Sequence, residues 1–191
     1  MITKEHIAQS LSLYRRKEIP SHEFPDFRRA AVLIPIFPSR DELSLLLTVR
    51  THEVETHKGQ ISFPGGMQDE TDKDFIHTAL REAREELHIE ENAVEILGML
   101  DDHATPTNFI ITPVVGYLKE KPSYTANPSE VAEVLEVPLS FFMNQNAART
   151  EQREVRGKKT TVWHFQYGAH DIWGATARMI KNLMEVIGEN P

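Results

Sequence analysis

The stretch that decides the fold is Phe63–Ile89, which reads FPGGMQDETDKDFIHTALREAREELHI. Its proline and two glycines interrupt any regular element and let the backbone approach another group closely. The apolar residues that follow recur at helical spacing, so the sequence predicts an amphipathic helix over 74–87. On this helix Glu82 and Glu86 lie one turn apart, and Glu85 lies beside them. The stretch therefore predicts a backbone turn followed by a helix with an acidic edge.

The acidic edge predicts a cation site. Like charges at this spacing destabilise a helix unless water or a cation compensates them. Carboxylate oxygens suit Mg²⁺ or Mn²⁺, and the glycine turn that ends at Gly66 can offer a backbone oxygen to the same ion. A bound divalent metal neutralises phosphoryl charge and lowers the pKa of a water molecule. The pattern thus favours metal-assisted hydrolysis of a phosphate ester or anhydride, and a solvated helix face is the alternative.

Length and composition are those of an ordinary globular protein, and we expect one domain over residues 1–191. The chain is 40% hydrophobic and 26% charged. Its formal net charge of −8 argues against nucleic acid and anionic membranes as partners. The sequence has no cysteine, no apolar signal region at its start and no apolar run long enough to cross a bilayer. A cytoplasmic protein with a small-molecule substrate is the simplest interpretation, and a homo-oligomer stays open.

Strands and helices alternate along the rest of the chain. Pro35 lies inside a strongly apolar strand and suggests a bulge or a missing ladder bond there. Strands are predicted at 30–37, 43–50, 61–63, 93–100, 109–118 and 131–137, with a hairpin over 152–164; further helices are predicted at about 3–16, 140–144 and about 174–188. This order predicts an α/β fold in which helices cover both faces of a mixed sheet.

The central stretch resembles the signature of the Nudix hydrolases. That signature is glycine, five residues, glutamate, seven residues and then REUxEExGU, where U is a bulky aliphatic residue. Here Gly66 is followed by five residues and Asp72, and eight residues lead to REAREELHI at 81–89. Aspartate therefore replaces a glutamate, one residue is inserted, Ala83 occupies a U position and His88 replaces the last glycine. The REXXEE core is intact.

The resemblance implies a Nudix-type α/β/α sandwich with the motif helix packed on a mixed sheet. It also implies that Glu82 and Glu86 hold an essential Mg²⁺ or Mn²⁺, with Glu85 as a further ligand or water activator. Arg81 is expected to orient a glutamate. For the general base, Glu85 is the first candidate and Glu130 the second, because family members often supply a carboxylate from a loop before a strand. A solvent-exposed loop glutamate is the alternative for Glu130.

The similarity extends to the coenzyme A pyrophosphatase branch of the family. It covers LLTVR at 46–50, Gly59 and FPGG at 63–66, and later TPVVG at 112–116 and WGATA at 173–177. The resemblance implies hydrolysis of the diphosphate of coenzyme A or its derivatives, giving 3′,5′-ADP and 4′-phosphopantetheine. Another nucleoside diphosphate compound as substrate, or a non-catalytic nucleotide-binding module, stays open.

Substrate contacts are predicted for three basic residues, Arg50, His57 and Lys58. Arg50 ends a strand near the expected site, and an ion pair at the surface is the alternative. The coenzyme A branch usually carries a basic residue near Glu55 or Thr56. In this chain the basic groups close to that position are His57 and Lys58, so they are the candidates for contact with the additional phosphate.

Histidine and aromatic residues farther along the chain carry weaker predictions. His103 follows a strand, from which it could approach the site. Aromatic side chains could stack against an adenine, although core positions are favoured for most of them; these residues are Trp163, Phe165, Tyr167 and Trp173.

Overall fold

A computed structural model of the chain describes residues 2–51, 59–155 and 157–188. The helices are α1 (Lys4–Leu13), α2 (Phe75–Leu87), α3 (Leu139–Met143) and α4 (Gly174–Gly188). The strands are β1 (Arg28–Ser39), β2 (Glu42–Arg50), β3 (Ile61–Ser62), β4 (Gly65–Met67), β5 (Val94–Met99), β6 (His103–Ala104), β7 (Phe109–Leu118), β8 (Val131–Pro138), β9 (Ala148–Val155), β10 (Lys158–Tyr167) and β11 (His170–Trp173). In the described part of the chain, no helix is long and apolar enough to span a membrane.

The main sheet is built around β1, whose apolar run is buried on both faces, as expected for a central strand. β1 pairs in parallel with β7 and antiparallel with β2 and β4. The order along the sheet is β3-β2-β1-β7-β5, and β4, β6 and β8 pair with β1, β7 and β2. The sheet is therefore mixed, and β4 brings the glycine segment directly beside the central strand.

Helices cover both faces of this sheet. Successive side chains of β1 point to opposite faces, so each face presents apolar residues against which helices pack. Ala31 packs in one cluster with Ala83 of α2. Ile34 packs in another cluster with Ile7 of α1 and Ile180 of α4. The predicted α/β/α arrangement is confirmed, and α1 belongs to the hydrophobic core.

Of the two alternatives predicted at Pro35, a bulge or a missing ladder bond, the bulge is absent. The register of β1 with β7 runs without a break through Pro35, which lies opposite Gly116. On its other edge, β1 pairs with β4 up to Val32 and with β2 from Ile36. Pro35 thus lies between two ladders, where its missing N–H is tolerated without a bulge.

The glycine segment forms a strand, so the expectation that it interrupts every regular element was wrong. Gly66 of β4 pairs with Ala31 of β1, and Gly65 pairs with Val32. A Cβ on Gly65 would lie 2.4 Å from the Ala31 carbonyl oxygen. The segment therefore pairs as a strand at a separation that only glycine permits.

α1 begins after the predicted N-cap, Thr3, but ends at Leu13 rather than at 16. Tyr14 is extended, with φ −72° and ψ 134°. Its hydroxyl donates to Asp101 Oδ1 at 2.5 Å, and the Lys17 N–H donates to the same oxygen at 2.8 Å. These bonds fasten the chain to the segment after β5, which explains the earlier end of the helix.

The predicted hairpin of β9 and β10 belongs to a separate three-stranded sheet that β11 completes. Sequence reasoning missed β11. Phe165 is fully buried, and Trp163 and Tyr167 pack partly buried against the main cluster. Trp173 stacks on His164 with 6.0 Å between ring centroids. The core interpretation is confirmed for Phe165, Trp163 and Tyr167, whereas Trp173 is partly buried and belongs to none of the hydrophobic clusters that the described residues form.

Candidate active site

Helix α2 is held at both ends by side chains. At its start, Asp74 Oδ1 accepts a hydrogen bond of 2.8 Å from the N–H of His77, so Asp74 is the N-cap. At its end, His88 has φ 55° and ψ 33°, the left-handed conformation that usually requires glycine. His88 Nδ1 lies 2.8 Å from the carbonyl oxygen of Thr125. The histidine therefore keeps the backbone geometry of the cap and links it to the following loop.

Asp72 fixes Arg81 at the centre of the acidic edge. Arg81 Nε donates to Asp72 Oδ1 and Arg81 Nη2 to Asp72 Oδ2, each at 3.0 Å. Such bidentate pairs fix both position and orientation. These bonds hold the pKa of the buried Asp72 carboxyl well below its usual range. Asp72 Oδ2 also accepts a hydrogen bond of 2.9 Å from the Asp69 N–H, and Asp72 Oδ1 lies 2.8 Å from His77 Nδ1.

The sequence analysis did not predict that Asp72 holds Arg81, although the position of Asp72 in the motif could have indicated it. The contact of His77 with Asp72 had no sequence signal.

Arg81 uses its remaining donors to hold two of the glutamates. Nη1 donates to Glu82 Oε1 at 2.8 Å and to Glu85 Oε2 at 3.0 Å. Nη2 also donates to the carbonyl oxygen of Met67 at 3.0 Å, which connects α2 to the end of β4. One guanidinium therefore sets the positions of two carboxylates and of the strand beside them.

Gly66 lies against the carboxyl group of Glu82. A Cβ at this position would lie 2.5 Å from Glu82 Cδ and Oε1, so glycine is required for the approach. Glu82 is partly buried, and burial raises its pKa while Arg81 opposes the rise. The glycine segment and the acidic edge thus meet at one point, as the motif spacing suggested.

Glu86 is the most buried of the three glutamates, with 3% of its surface exposed. Burial raises the pKa of Glu86 to about 8; Arg50 opposes this rise, whereas Glu82 and Glu130 add to it. Its Oε1 lies 3.8 Å from Arg50 Nη1. Among the described residues, no hydrogen-bond donor reaches its Oε2. A buried carboxylate with an unpaired oxygen is unfavourable, and a cation would satisfy it.

Glu130 approaches this cluster from the loop before β8. Its charge raises the pKa of both Glu82 and Glu86. Asn127 Nδ2 donates to Glu130 Oε1 at 3.3 Å, and the Asn127 N–H donates to the Glu86 carbonyl at 2.8 Å. The loop is therefore fastened to the end of α2, and it places a fourth carboxylate near the glutamates of the helix.

The donors in this cluster fit a hard divalent cation. Across residues 2–51, 59–155 and 157–188, no three His, Asp or Glu side chains are grouped so that they could hold a metal ion. Two of the helix glutamates are held by Arg81, and Glu86 keeps an unpaired oxygen. Mg²⁺ takes one or two carboxylates and keeps waters and substrate oxygens, so an open donor set of this kind is appropriate.

Of the remaining residues singled out from the sequence, two are not described by the structure and one lies elsewhere. His57 and Lys58 lie outside the described residues, so their predicted substrate contacts stay predictions. His103 lines a different cavity, together with Tyr14 and Arg178. Burial and the charge of Arg178 lower the pKa of His103 to about 4.

Two comparisons of the sequence with known proteins agree with this geometry. The family model described as NUDIX domain matches residues 27–163. An uncharacterized Nudix hydrolase, NudL, from Photorhabdus laumondii is 40% identical over 160 residues, covering 84% of this chain and 85% of its own length. The protein of the same description from Salmonella typhimurium is 37% identical over 190 residues, covering 100% of this chain and 97% of its own.

Solved structures share the fold at low sequence identity. A MutT/nudix family protein from Enterococcus faecalis has a TM-score of 0.54 and 14% identity, covering 98% of this chain and 81% of that one. A NUDIX hydrolase from Alicyclobacillus acidocaldarius has a TM-score of 0.52 and 18% identity, covering 63% and 85%. Nudix hydrolases generally use divalent metal ions such as Mg²⁺ or Mn²⁺. With its motif helix, mixed sheet and matched domain, the chain belongs to the Nudix hydrolase family.

Proposed function

We propose that this protein is a Mg²⁺- or Mn²⁺-dependent pyrophosphohydrolase that cleaves the diphosphate of coenzyme A or its derivatives. The products are 3′,5′-ADP and 4′-phosphopantetheine. The observation that carries the proposal has two parts. Gly66 meets Glu82, which Arg81 holds, and on the same helix the buried Glu86 has an Oε2 without a hydrogen-bond partner among the described residues. The choice of coenzyme A is supported by the segments at 46–50 and 63–66 that resemble that branch of the family.

The residues that hold the cation are Glu82 and Glu86, with Glu85 and the backbone oxygen of Gly66 as further donors. The cation, when bound, neutralises phosphoryl charge and lowers the pKa of a coordinated water. Arg81 keeps two of these carboxylates in position through its hydrogen bonds at 2.8 and 3.0 Å. Positioning and charge neutralisation are most of what phosphoryl transfer requires of a protein.

Arg50 binds the substrate diphosphate. Arg50 is the last residue of β2, and its Nη1 lies 3.8 Å from Glu86 Oε1, so the guanidinium adjoins the acidic cluster. Its Nε is buried, and no acceptor among the described residues reaches it. The planar fork of an arginine matches phosphate oxygens in a bidentate manner. His57 and Lys58 are proposed to reach the additional phosphate of coenzyme A.

The general base is Glu85 or Glu130, and a pair of substitutions distinguishes them. Glu85 bonds to Arg81 at 3.0 Å, whereas Glu130 is held by Asn127 at 3.3 Å. Loss of a general base lowers kcat by on the order of 10²- to 10⁴-fold. We expect this loss in one of Glu85→Gln and Glu130→Gln, together with loss of the acidic limb of the pH–rate profile, where protonation of the base lowers the rate. Equal, small effects of both would exclude a carboxylate base at these positions.

The substrate assignment is tested by incubating the protein with coenzyme A and either Mn²⁺ or Mg²⁺ and separating the products by chromatography. We expect 3′,5′-ADP and 4′-phosphopantetheine in equal amounts. A parallel panel of nucleotide sugars, dinucleotides and nucleoside triphosphates gives kcat/KM for each. Cleavage of the panel without release of 3′,5′-ADP would move the protein to another substrate. Binding without turnover of any compound would identify a non-catalytic module.

A further inference from the structure

A second polar cavity, of about 260 Å³, lies where the end of α1, the segment after β5 and α4 meet. Its walls include Tyr14, Lys17, His103 and Arg178. α1 and α4 pack on one face of the sheet, and α2 packs on the other. The cavity is therefore separate from the acidic cluster, and its role does not depend on the proposed reaction.

The carboxylates that line this cavity are already bonded to donors of the chain. Asp101 accepts a hydrogen bond of 2.5 Å from the Tyr14 hydroxyl. Asp102 accepts one of 2.8 Å from the Thr112 hydroxyl. Glu185 is paired at 2.8 Å with a lysine of its own helix. These acceptors have partners within the chain, so they do not require a cation from outside.

The donors in the cavity are, by contrast, unused. Lys17, His103 and Arg178 are all among the residues that line the cavity. Within the described ranges, none of these side chains has a hydrogen bond or an ion pair. Arg178 is close enough to His103 for its charge to act on the imidazole. The excess of donors over free acceptors makes this cavity suited to an anion.

We propose that Lys17, His103 and Arg178 form a second ligand site that binds a phosphate group. A guanidinium and an ammonium provide charge-assisted hydrogen bonds to phosphate oxygens, and a neutral imidazole adds one donor. The cavity is smaller than the roughly 300 Å³ at which pockets for drug-sized ligands begin. It therefore accommodates inorganic phosphate or the phosphate end of a phosphomonoester, and the bound group links the segment after α1 to α4.

The test uses the histidine ring signals of the metal-free protein, recorded by NMR with ¹³C-labelled histidine. The His103 signal is assigned with His103→Gln, and the protein is titrated with inorganic phosphate and, separately, with AMP. The experiment is run near neutral pH, where His103 is uncharged because its pKa is about 4. We expect a saturable shift of the His103 signal. Stronger binding of AMP identifies a phosphomonoester as the ligand, and equal binding identifies free phosphate.

Two variants and one control decide whether the named residues hold the anion. Arg178→Gln and Lys17→Gln should each weaken binding about tenfold, as expected for one charge-assisted hydrogen bond. Lys17 lies in an exposed connection, so its variant folds even if the Arg178 variant does not. Arg15→Gln removes the same charge from an exposed residue outside the cavity and should leave the affinity unchanged. No shift with either probe, or equal weakening by Arg15→Gln, would overturn the proposal.

Discussion

Replacement of Glu86 by glutamine should separate the stability of the site from its activity. Burial raises the pKa of Glu86 to about 8, from an ordinary value of 4.5. A carboxyl group whose pKa is higher in the folded than in the unfolded state makes its full contribution to stability at pH values below the unfolded pKa. That stabilisation is lost as the pH rises through the folded pKa. For Glu86 the loss therefore begins near pH 4.5 and is complete above about pH 8.

The size of this effect follows from the shift in pKa, at about 1.36 kcal/mol for each unit. Between about pH 5 and about pH 8, Glu86 should lower the free energy of unfolding of the metal-free protein by about 3 kcal/mol. Glutamine has nearly the same shape and does not titrate, so this contribution disappears in Glu86→Gln. The buried amide adds an offset that does not change with pH. The diagnostic quantity is therefore the slope of stability against pH.

The assay is urea unfolding in the presence of a chelator, at several values of pH, for the wild type and Glu86→Gln. Glu91→Gln is the matched control, because Glu91 forms a half-exposed pair with Arg84 at 3.4 Å. Such surface pairs contribute only about 0–1 kcal/mol, so the control should follow the wild-type slope. Parallel slopes for Glu86→Gln and the wild type would refute the raised pKa of Glu86 and the burial that causes it.

The same variant tests the metal assignment. With saturating Mn²⁺, kcat of Glu86→Gln should fall by on the order of 10²-fold or more, because a carboxylate ligand is lost. As the pH rises, Glu86→Gln should therefore gain stability relative to the wild type. At every pH it should be much less active than the wild type. An unchanged rate would refute the assignment of Glu86 as a ligand.

Three other substitutions address the neighbouring residues. Asp72→Asn removes the charge that fixes Arg81, so the free energy of unfolding should fall by about 3 kcal/mol in urea at neutral pH. Because the pKa of Asp72 is lowered in the fold, this difference should shrink as the pH falls below about 4. Gly66→Ala places a Cβ 2.5 Å from the Glu82 carboxyl, so the Kd for Mn²⁺, measured by electron paramagnetic resonance, should rise about tenfold. Arg50→Gln should raise KM for coenzyme A about tenfold, with a smaller change in kcat, in steady-state assays.

Each of these expectations has an outcome that contradicts it. Gly188→Ala is the control for Gly66→Ala, because a Cβ at Gly188 has no heavy atom within 4 Å. Equal Mn²⁺ affinities for the two alanine variants would exclude the close approach as the cause. A stability of Asp72→Asn equal to wild type would contradict the central position of its ion pair. A fall in kcat without a change in KM for Arg50→Gln would assign Arg50 to the transition state alone.

The parts of the fold that follow from the sequence are those set by local chemistry. The sequence predicted the N-cap of α1 at Thr3 and the helix after Asp74. Both rest on local signals, namely a polar capping residue and apolar residues that recur at helical spacing. β1 was predicted from an apolar run that suits burial on both faces. β4 was missed because Gly65 and Gly66 are poor strand formers, and they pair only when β1 lies beside them. Tertiary contact therefore overrides local propensity at the segment that approaches the glutamates.

The candidate site divides in a similar way. Helical spacing is sufficient to predict that Glu82, Glu85 and Glu86 share an edge. It does not predict that Arg81 bonds to the first two while Glu86 is left with an unpaired oxygen. That difference depends on the depth to which each side chain is buried under neighbouring elements. It also depends on Glu130, whose loop reaches α2 through backbone bonds that no local pattern encodes.

Two departures of this chain from the Nudix signature, Asp72 and His88, are accommodated by contacts within the chain. Asp72 is shorter than glutamate, yet it keeps a bidentate bond to Arg81 and has a further contact with His77. His88 takes the left-handed conformation of the replaced glycine, at a conformational cost that its contact with Thr125 helps to offset. In this chain, Asp72 thus holds Arg81 in place, and His88 provides the left-handed backbone angle at the end of the helix. These two substitutions therefore give no reason to prefer a non-catalytic module over a hydrolase.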